Sequence, residues 1–132
     1  MYSIQSRINF YDCDPAGILF YANIFKKAHK AYEEFLESLD LEIDFFDDDK
    51  YVLPIIHAEA NYKNPLIAGD LITIEVLVTR LRESSFELTY FFVDENHSIK
   101  ATVKTVHVSV DKSEFKKISL EKELSEKLAL HK

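Results

Sequence analysis

Residues 21–39 read Tyr-Ala-Asn-Ile-Phe-Lys-Lys-Ala-His-Lys-Ala-Tyr-Glu-Glu-Phe-Leu-Glu-Ser-Leu. Tyr21, Phe25, Ala28, Tyr32, Phe35 and Leu39 recur at steps of four and three, while Lys26, Lys27, Lys30, Glu33, Glu34 and Glu37 take the other faces. That spacing predicts a long amphipathic helix with one apolar stripe. No other segment of the chain has so long a helical period, so this stripe is the one large surface on which a sheet can pack.

Working outward, the residues on either side have a period of two. Tyr2, Ile4, Ile8 and Phe10 alternate with Ser3, Gln5, Arg7 and Asn9, which predicts a half-buried strand ended by Asp12 to Gly17. After an acidic loop containing Asp44 and Asp47 to Asp49 come four extended segments: 52–63, 70–82, 85–94 and 98–110. Each is bounded by turn residues such as Asn64-Pro65, Gly69-Asp70 and Asp94-Glu95-Asn96. Ile72, Ile74, Val76 and Val78 share one face, and their β-branching favours a pleated surface. Leu120, Leu124 and Leu128 predict a short amphipathic helix in the tail from Ser119. The expected architecture is α+β: a curved, mostly antiparallel sheet of about five strands wrapped around one long central helix, with a short C-terminal helix.

At 132 residues the chain has room for one domain, spanning 1–132. Sixteen Lys and Arg against 23 Asp and Glu give a formal charge of −7, which opposes attraction to phosphate backbones and anionic lipid. Neither nucleic acid nor membrane is an expected partner. The start of the chain lacks a basic-then-apolar leader, no apolar run approaches the ~18 residues of a spanning helix, and the single Cys13 cannot form an internal disulfide. A cytoplasmic protein is therefore expected. Gly17 and Gly69 are the only glycines, too few for a Gly-rich phosphate loop or a dinucleotide fingerprint, so no cofactor is expected. His29, His57 and His107 lack ligand-like spacing, and the contiguous Asp47 to Asp49 do not alternate as calcium ligands do, so no metal is expected.

The densest chemistry lies in Tyr11-Asp12-Cys13-Asp14-Pro15-Ala16-Gly17-Ile18, between the first strand and the long helix. One reading makes Asp14 an N-cap and Pro15 the first helical residue, with no functional role. The other uses the same arrangement: unpaired N–H groups at the helix start hold an oxyanion while an adjacent carboxylate acts as base or nucleophile. Cys13, lying between two carboxylates, is disfavoured as a thiolate.

The run Phe10 to Ile18, followed by Tyr21 and Asn23, resembles the signature of the 4-hydroxybenzoyl-CoA thioesterase family of hot-dog folds. The stretch His57-Ala58-Glu59 through Tyr62, Pro65, Gly69-Asp70 and Ser85-Phe86 is similar to that family's strands and turns. The resemblance covers Ile4 to about Val110. It implies an acyl- or aroyl-coenzyme A thioesterase with Asp14 as nucleophile or general base, the backbone N–H of Tyr21 polarising the thioester carbonyl, and Gly17 allowing close approach in the turn. Members acting on short aliphatic acyl groups usually carry His where Tyr21 stands, so Tyr21 leans towards the aroyl branch. The family's basic run for coenzyme A phosphates survives here only as Arg82, ahead of Ser85, with Arg80, Lys63 and Lys100 as other candidate cations. Asn23 and Glu59 are candidates to line the pocket.

Rival readings are a non-catalytic acyl-CoA-binding hot-dog domain, against which Asp14 argues, and a thioesterase acting on acyl carrier protein. A hot-dog dehydratase would need a His ahead of the helix, and none precedes His29. A small sheet with one helix leaves an exposed edge and an open groove, so a homodimer or homotetramer is expected. The site is then expected to be composite, with the Asp14 loop facing the Asn61–Pro65 region and Arg82 of a neighbouring copy.

Overall fold

A computed structural model describes all residues 1–132. The elements in chain order are β1 (Tyr2–Arg7), a 3-10 turn (Phe10–Asp12), α1 (Asn23–Ser38), β2 (Tyr51–Val52), β3 (Ile55–Tyr62), β4 (Leu71–Leu81), β5 (Ser85–Val93), β6 (Ile99–Val108), β7 (Val110–Asp111) and α2 (Lys122–Ala129). Five strands form one antiparallel sheet in the order β1-β4-β5-β6-β3, and β2 pairs with β7 as a separate ribbon. The expected α+β hot-dog arrangement is the one found. Pro54 stands between β2 and β3; with no N–H to give a ladder, it divides what the periodicity reads as one strand over 52–63.

The period-two faces explain the packing. Ile72, Ile74, Val76 and Val78 of β4 and Phe86, Leu88, Tyr90 and Phe92 of β5 are buried against the α1 stripe, where Ala28, Tyr32 and Phe35 are joined by Ile24, Ala31 and Leu36. Tyr21 lies ahead of the helix rather than on its stripe, and Phe10 is 83% exposed because the chain has left β1 and turned. α2 buries Leu124 and Leu128, and its Lys127 ammonium donates to the carbonyls of Leu39 (2.7 Å) and Asp40 (3.0 Å) at the end of α1. No helix is long and apolar enough to cross a membrane.

One polar chain runs through the core. The Tyr90 and Thr105 hydroxyls are 2.9 Å apart, and Thr105 Oγ1 is 2.8 Å from His107 Nε2. The His107 ring stacks on Phe86 with centroids 4.8 Å apart and lies 4.4 Å from the ring of Tyr32. Burial holds the His107 imidazole down at a pKa of about 3, so it is neutral in the fold.

β3 is an edge strand with one free side. Most of its residues are exposed, including Ile55 and Ile56.

Candidate active site

The two neighbouring carboxylates of the motif have different surroundings. Asp12 Oδ2 accepts from the Asn9 N–H (2.9 Å) and pairs with Lys27 Nζ at 3.1 Å. Partial burial pushes the Asp12 carboxyl up, but the Asn9 N–H and the Lys27 ammonium outweigh it and hold it below the usual carboxylate range. Asp12 is thus tied to β1 and α1. Asp14 Oδ1 accepts from the N–H of Ala16 (2.9 Å) and, at longer range, of Ile18 (3.4 Å), while its Oδ2 has no partner in the chain. Between the two, burial and then the charges of Asp12 and Asp14 push the Cys13 thiol up.

Asp14 does not cap the helix, and Pro15 does not begin it. Gly17 N–H donates to the Asp14 carbonyl at 2.9 Å and Asp14 N–H to the Ile18 carbonyl at 2.9 Å, closing a β-turn nine residues ahead of Asn23, where α1 begins. Asp first, Pro second and Gly fourth is a pattern that type I turns favour. Gly17 has φ +76° with no atom within 4 Å of where a Cβ would stand, so glycine is needed there for the left-handed backbone rather than for space.

Beyond the turn the chain is tethered at each step towards the helix. Leu19 N–H donates to Leu66 O (2.7 Å), Phe20 N–H to Asp12 O (3.0 Å) and Asn23 N–H to Phe20 O (2.8 Å). The Asn23 side chain also donates to Asp12 O at 2.8 Å, and the Tyr62 hydroxyl donates to Tyr21 O at 2.9 Å. The N–H groups of Tyr21 and Ala22 have no acceptor in the chain. A helix start is commonly closed by an oxygen-bearing N-cap side chain. Here the N-cap position is Ala22, which has none.

Tyr21 borders a cavity of about 430 Å³, and Ala22 follows it in the chain. Asp14, Ile18, Phe20 and Tyr21 form one side of it, and Tyr62, Lys63, Asn64 and Pro65 the other. The Phe20 and Tyr21 rings lie 4.8 Å apart, and Tyr21 is 68% exposed. A carboxylate oxygen without a partner, unfilled backbone donors and an aromatic wall therefore meet in one concavity, an arrangement able to hold and attack a carbonyl beside an apolar group.

Of the residues expected at the site, Asp14 and Tyr21 line the cavity and Gly17 shapes its turn. Asn23 instead holds the Asp12 carbonyl. Glu59 lies 3.2 Å from His57 and, by the alternation along β3, on the face opposite Tyr62. Arg82 and Ser85 sit together at the β4–β5 hairpin, beside Arg80 and Glu87, in a separate small cleft. The Tyr62–Pro65 wall, expected from a neighbouring copy, is supplied by the same chain. Ile18, the last residue of the quoted motif but given no role by it, lines the cavity, and so does Phe20, which the sequence reading does not single out. Their signal was an apolar run continuing past Gly17, which reads equally well as the approach to a buried helix.

The model of the thioesterase-like superfamily matches residues 8–128. A 1,4-dihydroxy-2-naphthoyl-CoA hydrolase of Synechococcus elongatus is 35% identical over 112 residues, covering 83% of this chain and 82% of that protein. A gentisyl-coenzyme A thioesterase superposes with a TM-score of 0.84 at 26% identity, covering 96% of this chain and 99% of the other. A 1,4-dihydroxy-2-naphthoyl-CoA thioesterase from Synechocystis, at 23% identity over 97% of this chain and 95% of the other, shares the fold with a TM-score of 0.88. With the family model spanning nearly all of the sequence, the chain belongs to the thioesterase-like superfamily and is a thioester hydrolase of the hot-dog fold.

Proposed function

We propose that the chain, acting as one hot-dog domain over 1–132, hydrolyses an aroyl-coenzyme A thioester to the free acid and coenzyme A. The observation that carries this is the meeting of Asp14 with the unfilled N–H of Tyr21 in a cavity walled by Phe20, Tyr21 and Tyr62. A thioester carbonyl gathers negative charge on attack. Backbone donors at the start of α1 are suited to stabilise that charge, and the coenzyme A thiolate leaves without needing a strong acid. Asp14 serves as nucleophile or as the base that activates water. The wall of three aromatic rings, Phe20, Tyr21 and Tyr62, suits an aromatic acyl group, and the aroyl substrates named for the relatives support that class. Lys63, the one cation on the cavity wall, is suited to an anionic phosphate of the carrier.

The working unit is a homodimer or a dimer of dimers, located in the cytoplasm. The free, exposed side of β3 supports edge-to-edge pairing. Tyr62 pairs with Ala101 at one end of β6, whereas Arg82 and Ser85 lie near the other end, beside Val108, about 20 Å away at the rise of an extended strand. Antiparallel pairing of two β3 strands about a two-fold axis reverses one copy, and so brings Arg82 and Ser85 of the partner subunit towards this chain's Asp14 end. Sedimentation should give a dimer or larger; a stable, active monomer would contradict this.

The test of function is a thiol-release assay on benzoyl-, phenylacetyl-, naphthoyl-type and straight-chain acyl-CoA thioesters, repeated with acyl carrier protein conjugates. The expected result is turnover concentrated on the aroyl-CoA members. A preference for straight chains would overturn the substrate class, and a preference for the carrier-protein conjugates would overturn the choice of carrier.

A further inference from the structure

Two successive peptide units just before α1 share an arrangement. In the first, the Phe20 carbonyl accepts from the Asn23 N–H at 2.8 Å, and its N–H, that of Tyr21, is free. In the second, the Tyr21 carbonyl accepts from the Tyr62 hydroxyl at 2.9 Å, and its N–H, that of Ala22, is free. The first carbonyl is held by the local turn alone. The second is held by a side chain 41 positions away, at the end of β3, where pairing with Ala101 of β6 anchors the backbone.

We infer that the Tyr62 hydroxyl is a positioning group for the oxyanion donors: by holding the Tyr21 carbonyl it fixes and polarises the Tyr21–Ala22 peptide, aiming that peptide's own N–H at the reacting carbonyl and holding Tyr21, whose free N–H is the neighbouring donor, in place. A hydrogen bond accepted by a peptide carbonyl orients that peptide plane and strengthens its own N–H as a donor. Without the tie, this exposed peptide has no other partner on its carbonyl and is free to rotate. Wall-building alone would not require the hydroxyl, because the ring of Tyr62 already supplies the apolar surface. The inference rests on the thioesterase reading and assigns a role within that site.

Tyr62→Phe keeps the ring and removes only the donor. Thiol release from benzoyl-CoA by the full chain should show kcat reduced about 3- to 10-fold, the size of one neutral hydrogen bond, with KM changed by about twofold or less. A second measurement reads the donors directly. In an Asp14→Asn background, which holds the thioester without turning it over, difference infrared spectra of isotope-labelled benzoyl-CoA should show the bound carbonyl stretch shifted to lower frequency, and the shift should shrink when Tyr62→Phe is added. Unchanged kcat, or lowered kcat with an unchanged carbonyl shift, overturns the inference and leaves the thioesterase reading standing. A wild-type protein that releases no thiol from any member of the panel overturns both.

Discussion

Tyr90, Thr105 and His107 pass hydrogen bonds along a buried chain that leaves only His107 Nδ1 without a partner, whereas at the far end of the same sheet Asp14 Oδ2 and the N–H groups of Tyr21 and Ala22 meet nothing in the protein. Both regions combine aromatic rings with polar groups, so residue type alone does not separate them. Solvent access does. A buried polar group without a partner costs on the order of 1–3 kcal/mol, which favours pairing in the core. At an open cavity water fills the vacant positions until a ligand displaces it. Several hydrogen-bonding groups left unfilled together at an open cavity, rather than the presence of a histidine or a carboxylate, mark the proposed working end of this molecule.

The contrast can be broken most forcefully through pH. The folded chain keeps His107 neutral down to about pH 3, whereas an unfolded His titrates near 6.5. Between those values the unfolded state binds a proton that the folded state refuses, so stability is full above 6.5 and is lost as pH falls, by up to about 1.4 kcal/mol per unit. Urea midpoints from pH 7 to 5 should fall steadily. A flat series would mean that His107 is protonated, or reached by water, within the fold.

A smaller effect is expected at the open end. Lys63→Glu should raise KM for an aroyl-CoA about tenfold, or about 1.4 kcal/mol, by replacing attraction to phosphate with repulsion. It should leave hydrolysis of the matching N-acetylcysteamine thioester, which lacks the phosphates, unchanged. Equal losses on both substrates would place Lys63 in the acyl pocket instead.

The smallest effect is expected in the buried chain. Tyr90→Phe removes one hydroxyl from the buried chain but leaves Thr105 bonded to His107, so stability should fall by about 0.5–1.5 kcal/mol with kcat unchanged. A loss of kcat in the folded variant would show that the core chain communicates with the site.

How far the sequence revealed this arrangement depends on the element. The α1 stripe and the Ile72 to Val78 face were legible because a period of 3.6 or of two directly records which side is buried. The approach to the helix was not, since Asp-Pro reads as an N-cap pair and equally as the first half of a β-turn. Gly17 in the fourth position, together with the ties from Leu19 to Leu66 and Phe20 to Asp12, selects the turn, and those partners lie far along the chain or depend on tertiary placement. Phe10 and Tyr21 continue apolar patterns yet lie exposed, because the backbone turns under them. The resemblance carried by the Asp14 motif led to the right superfamily, although the relatives described above act by name on aroyl thioesters other than 4-hydroxybenzoyl-CoA. No periodicity could have done so, nor could it have revealed the bond from Tyr62 to Tyr21, which joins residues on separate elements.

On the proposed function, the unpaired oxygen of Asp14 is held open for chemistry. The direct test is Asp14→Asn, measured for turnover of an aroyl-CoA, for affinity towards the same thioester and for melting temperature. The amide oxygen can still accept from the N–H of Ala16, so the turn should survive, with melting temperature and affinity close to wild type. Turnover should fall by about 10²- to 10⁴-fold, the contribution of a positioned base or nucleophile. Hydrolysis within about twofold of wild type, well below the smallest loss expected from removing a catalytic base, would contradict the account.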